Sequence, residues 1–186
     1  MFRNTLWGML LLLAIPSFGA AEELPKGKME TLQEEGYSVQ SITPIFSQLL
    51  MLSFPRGFKP VFEKTRGIQY IQESVPEGQT RKSWSDMITV SGTKGLASIP
   101  NFTPQSLVSK IATGFQRNCP ASFNAIGLGA IKLDGYDAFG AVVGCGVAID
   151  TGLPYSESAL IIAIKGENDV YMIQWAERGL ASKTPI

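Results

Sequence analysis

Residues 123–149 decide the fold, because they combine two strand patterns with a tight hairpin turn. The stretch reads FNAIGLGAIKLDGYDAFGAVVGCGVAI. Asp134-Gly135, between its two apolar runs, is the strongest two-residue signal for a β-hairpin. The pattern predicts one strand from Phe123 to Leu133 and an antiparallel partner from Tyr136 to Ile149.

A helix is predicted directly before this hairpin, from Pro104 to Asn118. Its apolar residues recur at intervals of three and four, as on one face of a helix: Leu107, Val108, Ile111, Ala112 and Phe115. Thr103 suits the N-cap and Pro104 the first helical position. The helix therefore has an apolar face that can pack on a sheet.

The chain has two cysteines, Cys119 and Cys145. Cys119 extends the apolar face of the helix, and Cys145 shares a strand face with Ala141 and Val143. A bridge would join helix to sheet, and closing such a loop contributes about 3–4 kcal/mol in the chain-entropy model. A redox pair is the alternative, but there is no Cys-x-x-Cys motif. We predict a structural disulfide between Cys119 and Cys145.

Further strand patterns flank the helix on both sides. Apolar runs separated by turn signals precede it at residues 46–54, 58–63, 68–75 and 87–90. The first three predict an antiparallel meander, and residues 83–86 predict a single helical turn. After the hairpin, the nearly continuous apolar run 159–165 favours a central strand covered on both faces, and 170–176 predict a last strand. The fold class is α+β: a twisted, largely antiparallel sheet of about eight strands with one main helix packed on it.

The beginning of the chain has the pattern of a cleaved secretory signal peptide. Arg3 precedes an apolar run much shorter than the roughly 20 residues of a bilayer span, and small residues occupy positions 19–21. Cleavage is predicted after Ala21, with cleavage after Gly19 as a second position. The alternative to a signal peptide is a short membrane anchor. One of 16 basic side chains and no acidic one is lost with residues 1–21, so the net charge becomes −1. The product is expected in the periplasm or outside the cell.

The rest of the chain divides by composition into three parts. Residues 22–44 are predicted to be a polar N-terminal leader, and 45–178 a single globular α+β domain. Residues 179–186 are predicted to be a short C-terminal tail.

The composition excludes several classes of function. There is no histidine, so Ser-His-Asp and Cys-His nucleophiles, His-ligated zinc and histidine pH switches are excluded. The 16 basic and 16 acidic residues balance, which gives no electrostatic footprint for nucleic acid. No catalytic residue, cofactor or metal site is predicted.

A candidate partner surface is formed by polar and aromatic residues at strand ends: Gln72, Glu73, Trp84, Gln174, Trp175, Glu177 and Arg178. If these strand ends meet, the surface suits a protein partner, because Trp and Arg are enriched at interfaces. The alternative is an internal ion pair with solvated strand ends.

Several local phrases resemble the Mog1p/PsbP-like fold family as it occurs in small exported bacterial proteins. They are YIQE at 70–73, VPEGQT at 75–80, WSDMITV at 84–90, NCP at 118–120, GC at 144–145, AIKG at 163–166, DVY at 169–171 and QWAER at 174–178. The resemblance spans roughly Phe46 to Arg178. It implies an α/β sandwich that serves as a binding or accessory module, and some exported members look like type II secretion substrates. It implies no shared set of catalytic residues.

The sequence therefore predicts an exported, non-enzymatic module that binds another macromolecule, expected to be a protein, through one face or edge of its sheet. No nucleic acid partner and no membrane span are predicted. One alternative is a secreted hydrolase using Glu73, Glu77 and Asp86 near Trp84. The other is a small-molecule binder with a pocket between sheet and helix.

Overall fold

A computed structural model describes residues 39–148 and 153–183. Within these residues the chain forms nine strands and one α-helix, with a short 3-10 turn at Leu96–Ser98. In chain order the elements are β1 Val39–Ile45, β2 Gln48–Phe54, β3 Phe58–Arg66, β4 Gln69–Pro76, β5 Asp86–Thr93, α1 Pro104–Asn118, β6 Phe123–Leu133, β7 Tyr136–Ala148, β8 Tyr155–Lys165 and β9 Val170–Leu180. The predicted signal peptide lies outside the described residues.

Seven of the strands form one antiparallel sheet in the order β3-β4-β5-β9-β8-β7-β6. The predicted antiparallel sheet with a helix packed on it is confirmed. Strand β8 lies between β9 and β7, so the prediction of a central strand at residues 159–165 is confirmed in position. The predicted cover on both faces is wrong at Leu160, which is 39% exposed. No helix in the described part of the chain is long and apolar enough to cross a membrane.

The β6–β7 hairpin turns where the sequence predicted. Asp134 and Gly135 have φ angles of 47° and 85°, and Leu133 pairs with Tyr136 across the turn. Positive φ at both central residues is the condition for the type I′ turn, whose twist matches that of the flanking strands. The tight turn fixes the β6–β7 register.

Helix α1 covers one side of the sheet, which we call the first face. It begins at the predicted N-cap, where the Thr103 hydroxyl accepts a hydrogen bond from the Ser106 N–H at 3.1 Å. Val108 is buried against Val143 and Ile161 of the strands beneath. Each large aliphatic side chain buried in this way stabilises the fold by about 1.5–3 kcal/mol.

The disulfide links the end of this helix to the sheet. Cys119 is the residue that follows α1 and Cys145 lies on β7; they are bonded, with Cα atoms 5.7 Å apart. Both residues are buried. The predicted Cys119–Cys145 bridge is therefore confirmed.

The predicted meander is wrong in its first strand. Strand β2 does not join the main sheet; it pairs with β1 in a separate two-stranded sheet. Strand β1 begins at Val39, within the stretch predicted to be the polar leader. The sequence did not indicate this strand, because Ser41, Thr43 and Pro44 interrupt its apolar pattern. At the other end, β9 continues to Leu180, past the predicted domain boundary at residue 178.

The β1–β2 hairpin packs against the opposite side of the sheet, the second face. Ile45 of the hairpin is buried with Ile88, Val90 and Tyr171 of the sheet. Gly92 permits this close approach, because a Cβ atom there would lie 2.8 Å from Ile45 Cγ2. The hairpin therefore covers β4, β5 and β9, while α1 covers β7 and β8 on the first face.

Asp169, which is 2% exposed, holds the turn of this hairpin. Its carboxylate accepts hydrogen bonds from the Ser47 hydroxyl at 2.6 Å, the Ser47 N–H at 3.1 Å and the Gly95 N–H at 2.7 Å. The Tyr171 hydroxyl donates to Asp169 at 3.4 Å and to the Ile45 carbonyl at 3.1 Å. One carboxylate thus connects the hairpin, the β5–α1 connection and β9.

The titration of this cluster follows from its contacts. Burial alone would raise the pKa of Asp169, but hydrogen bonds from Ser47 and Gly95 outweigh burial and lower that pKa below its ordinary value. Burial raises the pKa of Tyr171 to about 12, and the nearby Asp169 charge acts in the same direction. The ionised carboxylate and the neutral phenol are therefore the forms that the fold stabilises.

We predict that Asp169→Asn lowers the free energy of unfolding at neutral pH by about 3 kcal/mol, the scale of hydrogen bonds to a buried charged group. Because the folded-state pKa of Asp169 is lowered, its contribution is fully present above the unfolded value of about 3.9 and declines as pH falls below it. Urea denaturation of both proteins across this acid range measures the difference. Asp137→Asn is the matched control, since Asp137 forms an exposed cross-strand pair with Lys132, and it should leave stability essentially unchanged. A pH-independent difference for Asp169→Asn would contradict the prediction.

We also predict that replacing both Cys119 and Cys145 with Ser lowers the free energy of unfolding by about 3 kcal/mol, because the unfolded chain gains loop freedom. Urea denaturation with and without reductant tests this. Reductant should destabilise the parent chain and leave the double variant unaffected. Equal stability of the two proteins without reductant would be the contrary result.

Candidate functional site

The loop between β4 and β5, residues 77–85, forms a small platform stabilised by its own hydrogen bonds. Thr80 and Ser83 close a reverse turn through N–H to carbonyl bonds of 3.0 and 3.1 Å. The Gln79 side chain accepts from the Ser85 N–H at 2.7 Å and donates to the Ser85 hydroxyl at 2.9 Å. The prediction of a helical turn at residues 83–86 is wrong. Ser83 and Ser85 are bonded back to Thr80 and Gln79, and Asp86 is already the first residue of β5.

Next to this platform, Arg178 lies between two aromatic rings. Its Cζ atom is 3.8 Å from the ring centroid of Trp84 and 4.3 Å from that of Tyr155. Its Nε–H donates to a Glu157 carboxylate oxygen at 3.0 Å, and the arginine side chain is 23% exposed. Stacking and ion pairing together fix the guanidinium in one position.

An open cleft of about 760 Å³ lies between the platform and the ends of β8 and β9. Its walls combine aromatic, apolar, hydroxyl and cationic groups from Lys82, Ser83, Trp84, Tyr155, Arg178 and Leu180. Ligand sites commonly occupy about 300–1,000 Å³ and combine apolar walls with a few fixed polar groups. Because Glu157 balances the charge of Arg178, this cleft offers Lys82 and neutral hydrogen-bonding groups rather than a strongly charged pocket.

A second arginine ties the same loop to the sheet. Arg81 donates to the carboxylate of Glu73, which is 9% exposed, and stacks with its Cζ atom 3.8 Å from the centroid of Phe62. The hydrogen bond to Glu73 raises the pKa of Arg81 above its ordinary value. The buried carboxylate therefore has a permanent cationic partner, and the middle of the loop is tied to the sheet.

The structure places the residues of the predicted partner surface on two sides of the sheet. Glu73, Gln174 and Arg178 lie on the first face, and Trp84 meets Arg178 there. The other three, Gln72, Trp175 and Glu177, lie on the second face, since β4 and β9 alternate sides along their length. Trp84 and Arg178 are thus brought together, while Trp175 and Glu177 belong to a different surface.

On the second face, Trp175 continues a row of apolar side chains that the hairpin does not cover. Cross-strand neighbours form this apolar strip: Trp175, Leu160, Val142 and Ile126. Leu160 is 39% exposed and Ile126 58%, and the Trp175 ring contacts Phe58 at a centroid distance of 5.7 Å. Sequence reasoning missed the strip, because strand register had to be known before residues of four strands could be aligned.

The carboxylates considered for a hydrolase each have a local contact. Glu73 pairs with Arg81, Glu77 with Lys59 at 2.6 Å, and Asp86 accepts from the Ser85 hydroxyl at 2.7 Å. Within residues 39–148 and 153–183, no group of three or more acidic or cysteine side chains is arranged to hold a metal ion. Nothing in these residues points to an enzymatic activity.

A small cavity corresponds to the alternative of a pocket between sheet and helix. It measures about 260 Å³ and lies at the C-terminal end of α1, beside the disulfide and near Phe115 and Tyr155. Its volume is below the roughly 300 Å³ at which ligand sites usually begin. The cleft at Trp84 and Arg178 is the larger candidate.

Comparison with known proteins assigns the chain to no group: no protein-family model matches it, and no curated protein shows a significant match.

Proposed function

We propose that this protein is a non-enzymatic binding module for another protein, whose binding site is the cleft between the 77–85 loop and the ends of β8 and β9. The observation that carries the proposal is the fixed stack of Trp84, Arg178 and Tyr155 at the wall of that cleft. Trp, Tyr and Arg are the residues most enriched among those that dominate binding energy at protein interfaces.

Preorganisation supports this assignment. Side chains that must be ordered on binding cost roughly 0.5–1.5 kcal/mol each. In this cleft the guanidinium is already held by two rings and Glu157, and the platform is held by bonds within the loop. A partner segment that inserts an apolar side chain beside Leu180 and hydrogen-bonds to the hydroxyls therefore meets a prepared surface.

The proposed setting is outside the cytoplasm. A buried disulfide at Cys119–Cys145 fits an oxidising compartment, in agreement with the signal peptide predicted at residues 1–21. We also propose that the chain is a member of the Mog1p/PsbP-like fold family and is exported by type II secretion. Both proposals rest on the local sequence resemblance.

Charge reversal inside and outside the cleft tests the proposal. Residues 22–186 are immobilised and exposed to periplasmic extract and culture supernatant of the source cells, and bound proteins are quantified by mass spectrometry. Lys82→Glu places an acid in the cleft and should reduce capture of the partner at least about tenfold, as expected for a contact within an interface. Lys64→Glu on β3 is the matched control and should retain capture.

A second pair of variants tests the apolar wall. Leu180→Asp, at a residue 94% exposed and lining the cleft, should also reduce capture, while Leu49→Asp, at a residue 71% exposed on the hairpin, should not. Neither side chain belongs to a buried cluster, so melting temperatures should stay near that of the parent chain. Capture that is equal in cleft and control variants, or no selective capture by the parent chain, would refute the proposed site.

A further inference from the structure

The two edges of the seven-stranded sheet differ in how they are protected. Strand β3 contains Pro60, a register shift between Pro60 and Phe62, and four charged residues: Lys59, Glu63, Lys64 and Arg66. Proline, charge and irregular pairing are the devices by which edge strands avoid adding another strand. The β3 edge is therefore blocked against pairing.

Strand β6, at the opposite edge, has 11 residues, and no charged residue or proline occurs from Phe123 to Ile131. Three large apolar side chains of this strand, Ile126, Leu128 and Ile131, are 41–58% exposed. A register shift between Gly127 and Gly129 places Leu128 over Gly140, so it lies on the second face with the other two. Among the described strands β6 pairs with β7 alone. Its outer edge, interrupted by this one register shift but without charge or proline up to Ile131, therefore adjoins an apolar surface.

We propose that β6 is a dimerisation edge, which pairs antiparallel with β6 of a second copy of this chain. The absence of charged residues from this part of β6 favours a second copy as the partner. In antiparallel self-pairing the segment Phe123–Ile131 meets only its own uncharged residues, so no like charges are opposed. Lys132, the first charged residue beyond it, is already paired with Asp137 at 2.7 Å. The same arrangement of β3 would oppose Lys59 and Arg66.

The geometry of such a pair also buries apolar surface. A two-fold axis perpendicular to the sheet reverses the strand direction and keeps the second faces of both copies on one side. Ile126 and Leu128 of one copy then lie beside Leu128 and Ile126 of the other. This inference does not depend on the proposed function, because none of these residues lines the cleft at Trp84 and Arg178.

Sedimentation equilibrium of residues 22–186 across the micromolar range tests the proposal. The expected result is a species of twice the chain mass that dissociates on dilution. Ile126→Lys should raise its dissociation constant at least about 30-fold, because each copy brings a charge to an edge that must face its own counterpart. Val61→Lys, at an exposed branched residue of β3, is the matched control and should leave association unchanged. A monomer at every concentration, or a dimer equally stable in both variants, overturns the proposal.

Single cysteines provide a second readout that does not require a destabilising charge. The two native cysteines are bonded to each other, so an introduced cysteine supplies a new thiol. Directly opposed residues of antiparallel strands have Cβ atoms about 4.5–5.5 Å apart, close to disulfide geometry. Residue 126 of one copy is expected to face residue 128 of the other, so an equal mixture of the Ile126→Cys and Leu128→Cys chains should form a disulfide-linked dimer on mild oxidation. Thr65→Cys on β3 should not. Failure of the mixed Ile126→Cys and Leu128→Cys chains to cross-link overturns the antiparallel β6 pairing.

Discussion

The constraint on which the rest of the structure depends is that the central strands are apolar on both sides, so each face of the sheet needs a cover. On the first face, α1 lies over β7 and β8 and buries Val143 and Ile161. On the second face, the β1–β2 hairpin lies over β4, β5 and β9 and buries Ile88 and Val90. The two covers are offset, and the half of the second face opposite α1 is left with the apolar strip.

Besides its apolar contacts, each cover is attached by a covalent or polar link between residues distant in sequence. The disulfide fixes the end of α1 to β7 across 26 residues, and Asp169 fixes the hairpin turn across 122 residues through Ser47. A disulfide acts largely by restricting the unfolded chain, whereas the carboxylate acts through hydrogen bonds in the folded state. The two attachments therefore respond to different conditions: reductant acts on one and acid on the other.

The sequence was sufficient where local pattern and tertiary environment agree. The helical repeat from Leu107 to Phe115 and the Asp134-Gly135 turn each have a local physical cause, and both are found where they were expected. The β1–β2 hairpin was not predicted, because its position depends on Gly92 and Asp169, which are remote from it in sequence. The candidate surface was divided for a similar reason: Trp175 and Arg178 are close in sequence, but strand alternation sends them to opposite faces. The predicted surface required side chains from different segments to meet, and the contact of Arg178 with Trp84 is such a meeting.

The two proposed surfaces differ in polarity because they use different features of the same sheet. The cleft lies at strand ends, where a loop rich in hydroxyl and amide groups meets β8 and β9. Strand β6 lies at a lateral edge, where it pairs with β7 alone among the described strands and exposes apolar side chains such as Ile126. The apolar strip ends at Ile126 of β6 on the second face. Pairing two copies through β6 would therefore join their strips into one longer apolar surface. The clefts, whose Trp84–Arg178 wall lies on the first face, would remain separate and open, so the proposed dimer would present two partner sites at once and gain from any partner that is itself multivalent.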